Sequence, residues 1–156
     1  MVEQRHEEEE VLRVFGETGR RPSLFTSSRG RGAVHRAALR GDVRALYAMK
    51  ELGFPMAERD TNGWLATHVA GQEGHVEVLR VLKGLKCPME GKGSDGRTAA
   101  HVAGKRGKVE ALRALWDLGC QMAEKDNCGR TAIHHAAEYG QAEALRALKN
   151  LGCPIA

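Results

Sequence analysis

The residues of this chain that could do chemistry are chiefly its seven histidines and four cysteines. Zinc takes histidine nitrogen and cysteine sulfur as ligands, and a cysteine thiolate can also act as a nucleophile. Four of the histidines, however, recur at a spacing of 33 residues, at His35, His68, His101 and His134. Three of the cysteines share that spacing, at Cys87, Cys120 and Cys153. So regular a spacing indicates a structural repeat and not a catalytic or metal centre.

The 33-residue period organises most of the chain. It relates the glycines at 41, 74, 107 and 140, and it also relates the leucines at 52, 85, 118 and 151. Because several independent columns share one spacing, we divide the chain into four units, at residues 27–59, 60–92, 93–125 and 126–156.

Each unit has the pattern of two short helices. Paired alanines such as Ala136 and Ala137 keep the first helix thin, and we expect the glycine column that begins at Gly41 to end it. The second helix has apolar residues at helical spacing, for example Leu79 and Leu82. One such pair cannot bury its own apolar face, so the units must stack.

The fourth unit resembles an ankyrin repeat. The resemblance rests on Asp126, Gly129, Thr131, His134, Ala136, Ala137 and Gly140. It extends over roughly residues 27–156, although alanine replaces the proline of the family's T-P-L-H motif at Ala66, Ala99 and Ala132. The resemblance implies an all-α fold, a solenoid of stacked helix-turn-helix units joined by turns or hairpins. It also implies that the recurring histidine ties loops together by hydrogen bonds.

The repeat accounts for the candidate ligands without a metal or a cofactor. Helices of stacked units lie about 8 to 10 Å apart, so equivalent histidines cannot share one ion. We expect His75 and His135 to be surface or semi-exposed. A disulfide needs Cα atoms within about 7 Å, so we expect the cysteine column to be small buried thiols and Cys128 to be exposed in a turn. No buried ionisable cluster breaks the repeat in the sequence, so we predict that the chain is not an enzyme.

Residues 1–26 precede the first unit. Val11, Leu12 and Phe15 echo the second-helix pattern and follow the acidic run at residues 7–10. This predicts a capping helix over the open end of the stack, with its acidic residues at the helix N-terminus. A frayed tail is the alternative. The Gly- and Ser-rich stretch at residues 16–32 predicts a flexible linker.

Positions that do not repeat are free to bind a partner. The resemblance implies a concave groove lined by the turn tips and the outward side of the first helices. The chain's net charge is only +4, yet these positions hold ten basic residues and the three acidic residues Glu73, Asp95 and Glu138. Aromatic residues with arginine are typical of binding hot spots. We therefore predict that an acidic protein binds at Arg29, Arg31, Arg40, Arg59, Trp64, Arg97, Lys105, Arg106, Lys125, Arg130 and Tyr139.

The alternative is that a polyanion, either a nucleic acid or an anionic lipid head group, binds the same surface. A sequence pI near 9.0 permits it, but there is no recognised nucleic-acid motif and there are few aromatics for base stacking.

No apolar run is long enough to span a membrane, and the first 25 residues lack the apolar region of a signal peptide. We therefore expect an intracellular, cytoplasmic protein. The last helix is expected to leave its apolar side, with Leu145, Leu148 and Leu151, bare for docking on a partner or a second copy.

Overall fold

The computed structural model describes residues 32–153, and in that range it contains eight α-helices and no β-strand. They are α1 (Ala33–Arg40), α2 (Val43–Glu51), α3 (Ala66–Glu73), α4 (Val76–Gly84), α5 (Ala99–Arg106), α6 (Val109–Asp117), α7 (Ala132–Glu138) and α8 (Ala142–Asn150). The prediction of an all-α fold is confirmed. No helix of this range is long and apolar enough to cross a membrane. The predicted capping helix and most of the linker lie outside the described residues.

The helices form four pairs, and each pair repeats the one before it 33 residues later. The first helices α1, α3, α5 and α7 pack against one another in chain order. The second helices α2, α4, α6 and α8 do the same and form a second layer. The predicted helical solenoid is therefore confirmed. The division into units at residues 59, 92 and 125 stays a prediction, because it concerns the loops between the pairs.

Glycine ends the first helix of the first three units. Gly41, Gly74 and Gly107 adopt left-handed conformations, with φ of 74°, 75° and 69°. Their backbone N–H groups donate to carbonyls of the last helical turn. Glycine has no Cβ to oppose a positive φ, so it reverses the chain there at little cost.

The recurring histidine joins each unit to the next. Nδ1 of His101 accepts a hydrogen bond from the backbone N–H of Thr98 at 3.0 Å, so the ring proton lies on Nε2. Nε2 then donates to the carbonyl of Arg130, at 2.9 Å and 29 residues later. The same link joins His35 to Trp64 and His68 to Arg97, at 2.7 and 2.8 Å. Burial lowers the pKa of His68 and of His101, which favours this neutral form.

The first helices approach closely because glycine lies at their contacts. A Cβ added to Gly104 of α5 would lie 2.8 Å from the carbonyl oxygen of Ala132 in α7. The equivalent distance from Gly71 of α3 to the carbonyl oxygen of Ala99 is 3.1 Å. Ordinary van der Waals contact begins near 3.4 Å, so a methyl group fits at neither position without movement.

The cysteine column is buried as predicted. Cys87, Cys120 and Cys153 are at most 6% exposed, and all four cysteines are free thiols. Burial raises the pKa of all three buried thiols, to about 11 for Cys120, so they are protonated near neutral pH. Cys128 is exposed, also as predicted.

Candidate functional site

The predicted binding surface divides into two rows in the structure. Arg29 and Arg31 lie outside the described residues. One row lies in the loops before the first helices and contains Arg59, Trp64, Arg97, Lys125 and Arg130. The other row lies at the C-terminal ends of the first helices and contains Arg40, Lys105, Arg106 and Tyr139.

Arg59 braces two units together. Its Nη1 donates to the carbonyls of Gly63 and Lys92, at 2.7 and 2.6 Å. Lys92, one period later, repeats the contact by donating to the carbonyl of Lys125 at 3.3 Å, and it lies 3.3 Å from the Glu124 carboxylate. This column therefore holds the loops together. Lys125 is its last member, and no carboxylate in residues 32–153 lies within ion-pair distance of it.

Two of the predicted arginines are already paired with carboxylates. Nε of Arg97 lies 3.3 Å from Oδ2 of Asp95 and 3.8 Å from Oδ2 of Asp126, and its side chain is only 29% exposed. Nη1 of Arg130 lies 2.6 Å from Oε2 of Glu138. These contacts neutralise part of the charge that the sequence count assigned to the surface. Asp95 lies in the same loop as Arg97, Asp126 lies in the next loop, and Glu138 lies at the end of α7. A charge count does not show which of these residues meet.

Trp64 is partly buried and contacts its own unit. Its ring stacks on His68, with centroids 5.7 Å apart and an angle of 16° between the rings. The indole therefore covers the histidine that links the second unit to the third. Only the solvent-exposed part of the Trp64 side chain is accessible to a partner.

Lys105, Arg106 and Tyr139 form what we call the helix-end patch. Nζ of Lys105 lies 4.9 Å from the centroid of the Tyr139 ring, which is a cation–π contact between the ends of α5 and α7. Tyr139 is 49% exposed and Arg106 is exposed beside Lys105. Within the described part of the chain, neither cation has a carboxylate within ion-pair distance. The patch therefore keeps its positive charge.

A buried ionisable cluster breaks the repeat in the fourth unit, contrary to the sequence prediction. His135 is fully buried, so the expectation that it is surface or semi-exposed is wrong. Its Nε2 lies 2.8 Å from Oδ2 of Asp126, whose Oδ1 accepts the N–H groups of Cys128 and Arg130 at 2.9 Å each. The second and third units have valine in this column, Val69 and Val102, whereas the first unit has Arg36. The signal in the sequence was a histidine at a position that is valine in the two preceding units.

The cluster is better suited to hydrogen bonding than to holding a metal. One ligand atom from each of His101, Asp126 and His135 lies within 4.8 Å of the others. A tetrahedral zinc ion would draw its ligands to on the order of 3.4 Å from one another. Drawing His101 inward would break its hydrogen bond to Arg130, and the Arg97 guanidinium beside Asp126 repels a cation.

The charge state of Asp126 fits this structural role. Burial alone would raise the pKa of Asp126, but the backbone N–H of Arg130 and the ring of His135 donate hydrogen bonds to its carboxylate. Together with the Cys128 amide, they lower the pKa to about 2. A carboxylate that is ionised and hydrogen-bonded fixes the turn before α7.

The last helix exposes less apolar surface than expected. Leu148 is fully buried and Leu151 is partly buried, so the prediction that both lie bare is wrong. Leu145 is 36% exposed, whereas its counterparts Leu46, Leu79 and Leu112 are fully buried. Docking of a partner or a second copy at this end stays a prediction.

Part of the chain matches a known family of repeats. Residues 83–155 match the family model described as ankyrin repeats, in three copies. The matched range runs from the end of α4 through α8, so it includes the helix-end patch, Lys125 and the Asp126–His135 pair. No curated protein matches the chain.

Proposed function

Because the chain is an ankyrin-repeat protein, and ankyrin repeats generally mediate protein–protein interaction, we propose that it is a non-enzymatic adaptor that binds an acidic segment of a partner. The contact with the partner is centred on the helix-end patch. Lys125 adds a further positive charge in the loop row. We place this interaction inside the cell.

The observation that carries this proposal is a positive charge beside an exposed aromatic ring that no carboxylate of residues 32–153 neutralises. Lys105 contacts the Tyr139 ring, and Arg106, which is exposed, lies next in the chain. A tyrosine offers both a flat apolar surface and a hydroxyl donor. An acidic side chain flanked by an apolar one matches that combination.

The chemistry of the patch favours a carboxylate ligand. Arginine holds a carboxylate through two parallel hydrogen bonds, and lysine adds a compact positive charge. The positive field steers acidic segments toward the patch, and the tyrosine ring excludes water once they arrive. Arg59, Arg97 and Arg130 contribute less, because each is already engaged by a carbonyl or a carboxylate.

Affinity capture from a lysate with three versions of the chain tests the proposal. The site variant carries Lys105→Glu and Arg106→Glu. The control variant carries Lys50→Glu and Lys149→Glu, which make the same charge change at exposed positions of the second helices. We expect the native chain and the control to retain a common protein that the site variant loses, with all three equally folded by circular dichroism.

Equal capture by all three versions would refute the patch as the binding site. Loss of capture by both variants would show that binding depends on the net charge of the chain and not on the helix-end patch. Nuclease treatment of the lysate separates the polyanion alternative. If the captured material disappears with nuclease, or its retention falls steeply with salt whatever its identity, nucleic-acid binding replaces the proposal.

A further inference from the structure

A cavity of about 250 Å³ lies between the loop after α4 and the loop after α6. It is separate in sequence from the helix-end patch, because it is built from the ends of the second helices. Equivalent loops exist after α2 and α8, so each residue at the cavity can be compared with its counterparts one or two periods away. That comparison shows which side chains the repeat itself does not require.

Lys86, which lines the cavity, departs most clearly from the repeat. The other three units have glycine in this column, Gly53, Gly119 and Gly152, with φ between 82° and 87°. Lys86 has φ of 65°, and it is the one non-glycine residue with a positive φ in residues 32–153. A side chain with a Cβ disfavours this conformation. The chain therefore keeps a lysine where its own pattern and local sterics favour glycine.

Two more charged residues line the same cavity. Glu90 occupies a column that is alanine in the first and third units, at Ala57 and Ala123. Its Oε1 accepts the backbone N–H of Gln121 at 2.6 Å, which ties the two loops together. Lys83 and Lys86 have no carboxylate within ion-pair distance in the described part of the chain. The carboxylate is thus engaged by the backbone, and both ammonium groups are available.

The inner wall of the cavity is uncharged. Cys87 and Cys120 are 4% and 6% exposed, and burial raises the pKa of both thiols, so neither is a thiolate near neutral pH. Leu118 adds an aliphatic side chain to the wall. Lys83 and Glu90 line the same cavity as the Cys120 thiol.

We propose that this cavity, the inter-loop pocket, binds an anionic side chain of a peptide. Lys83 and Lys86 supply the counter-charges, and the wall of Cys87, Cys120 and Leu118 receives the neighbouring apolar residue. A glutamate carboxylate and a phosphoserine phosphate are two sources of the same chemistry. In this proposal the backbone strain of Lys86 at positive φ is tolerated because that position places its ammonium group over the pocket.

Titration of ¹⁵N-labelled full-length chain tests the pocket. The probes are three blocked pentapeptides, Gly-Leu-X-Leu-Gly, in which X is glutamate, phosphoserine or glutamine. We expect glutamate or phosphoserine to shift the backbone amides of Lys86, Gly119 and Cys120 in a saturable way at millimolar peptide, and glutamine to leave them unchanged. The stronger of the two anions identifies the source. Equal shifts with glutamine, or none with either anion, would overturn the proposal.

Two variants separate binding from stability. Lys86→Gly restores the residue of the other units, so we expect it to raise the urea midpoint of unfolding while it weakens peptide binding at least about five-fold. Lys83→Ala should weaken binding as well, whereas Lys50→Ala, in the same column of the first unit, should not. Unchanged binding by Lys86→Gly would refute the role of the strained lysine, and because that variant gains stability, unfolding cannot explain a loss.

Discussion

Gly104→Ala is the sharpest test of how the units pack. A methyl group at this position of α5 would lie 2.8 Å from the Ala132 carbonyl oxygen, so α5 and α7 must separate by about 0.6 Å to restore ordinary contact at 3.4 Å. Overpacking of this kind costs about 1 to 3 kcal/mol. Alanine regains up to about 1 kcal/mol of helix propensity. We therefore expect a net loss of about 0.5 to 2 kcal/mol in the free energy of unfolding.

Gly84→Ala provides the matched control. Gly84 ends α4, and a Cβ added there meets no atom within 4 Å. It should stabilise the chain by a few tenths of a kcal/mol, up to about 1 kcal/mol. Gly71→Ala, at 3.1 Å from the Ala99 carbonyl oxygen, should lie between the other two variants.

Urea unfolding followed by circular dichroism at 222 nm measures these differences. With a slope of about 1 to 3 kcal/mol per molar urea, a loss of 1 kcal/mol lowers the midpoint by roughly 0.3 to 1 M. A lower slope for Gly104→Ala would show that the repeats no longer unfold together. If Gly104→Ala stabilises the chain as much as Gly84→Ala does, the close approach of α5 and α7 is refuted.

Three further predictions concern burial and charge. The pKa of Asp126 is about 2 in the folded chain against an ordinary 3.8. Its ionised form therefore adds about 2 kcal/mol of stability, which is lost as pH falls from about 4 to 2. In urea titrations Asp126→Asn should be less stable than the native chain at pH 6, and its free energy of unfolding should fall less between about pH 4 and 2. Cys128 should react with a thiol reagent at once, and the three other cysteines only in denaturant, whereas immediate reaction of all four would contradict their burial. Leu145→Glu should change the free energy of unfolding little, because Leu145 is 36% exposed. Leu112→Glu should lower the free energy of unfolding by several kcal/mol, because Leu112 is fully buried. Equal effects of the two variants would show that the end of the stack is covered.

The fold could be predicted from the sequence because the same 33-residue pattern occurs in four successive units. Four histidines alone could have indicated a metal site. Because glycine and leucine recur at the same spacing as the histidines, stacked structural units are the better physical explanation. The resemblance to ankyrin repeats also implied that the recurring histidine ties loops together by hydrogen bonds, and His101 does so through the carbonyl of Arg130.

The charge of the proposed binding surface could be predicted only in outline. Arg97 and Arg130 counted as free cations in the sequence, and their neutralisation by Asp95 and Glu138 depends on loop geometry. His135 was missed because a histidine beside the repeating His134 looked like a surface residue, although its column holds valine in the two preceding units. Departures from a repeat column predict individual roles better than charge counts do.

The most direct test of the account is the effect of removing Tyr139 on the affinity for the captured partner. Tyr139→Ala deletes the ring that Lys105 contacts, and Tyr47→Ala deletes a ring of similar exposure, 47% against 49%, on a second helix. Isothermal titration of the purified partner against both variants should show Tyr139→Ala weakened at least about ten-fold, which is about 1.4 kcal/mol, and Tyr47→Ala unchanged. Equal affinities for the two variants, or a loss confined to Tyr47→Ala, would contradict binding at the helix-end patch.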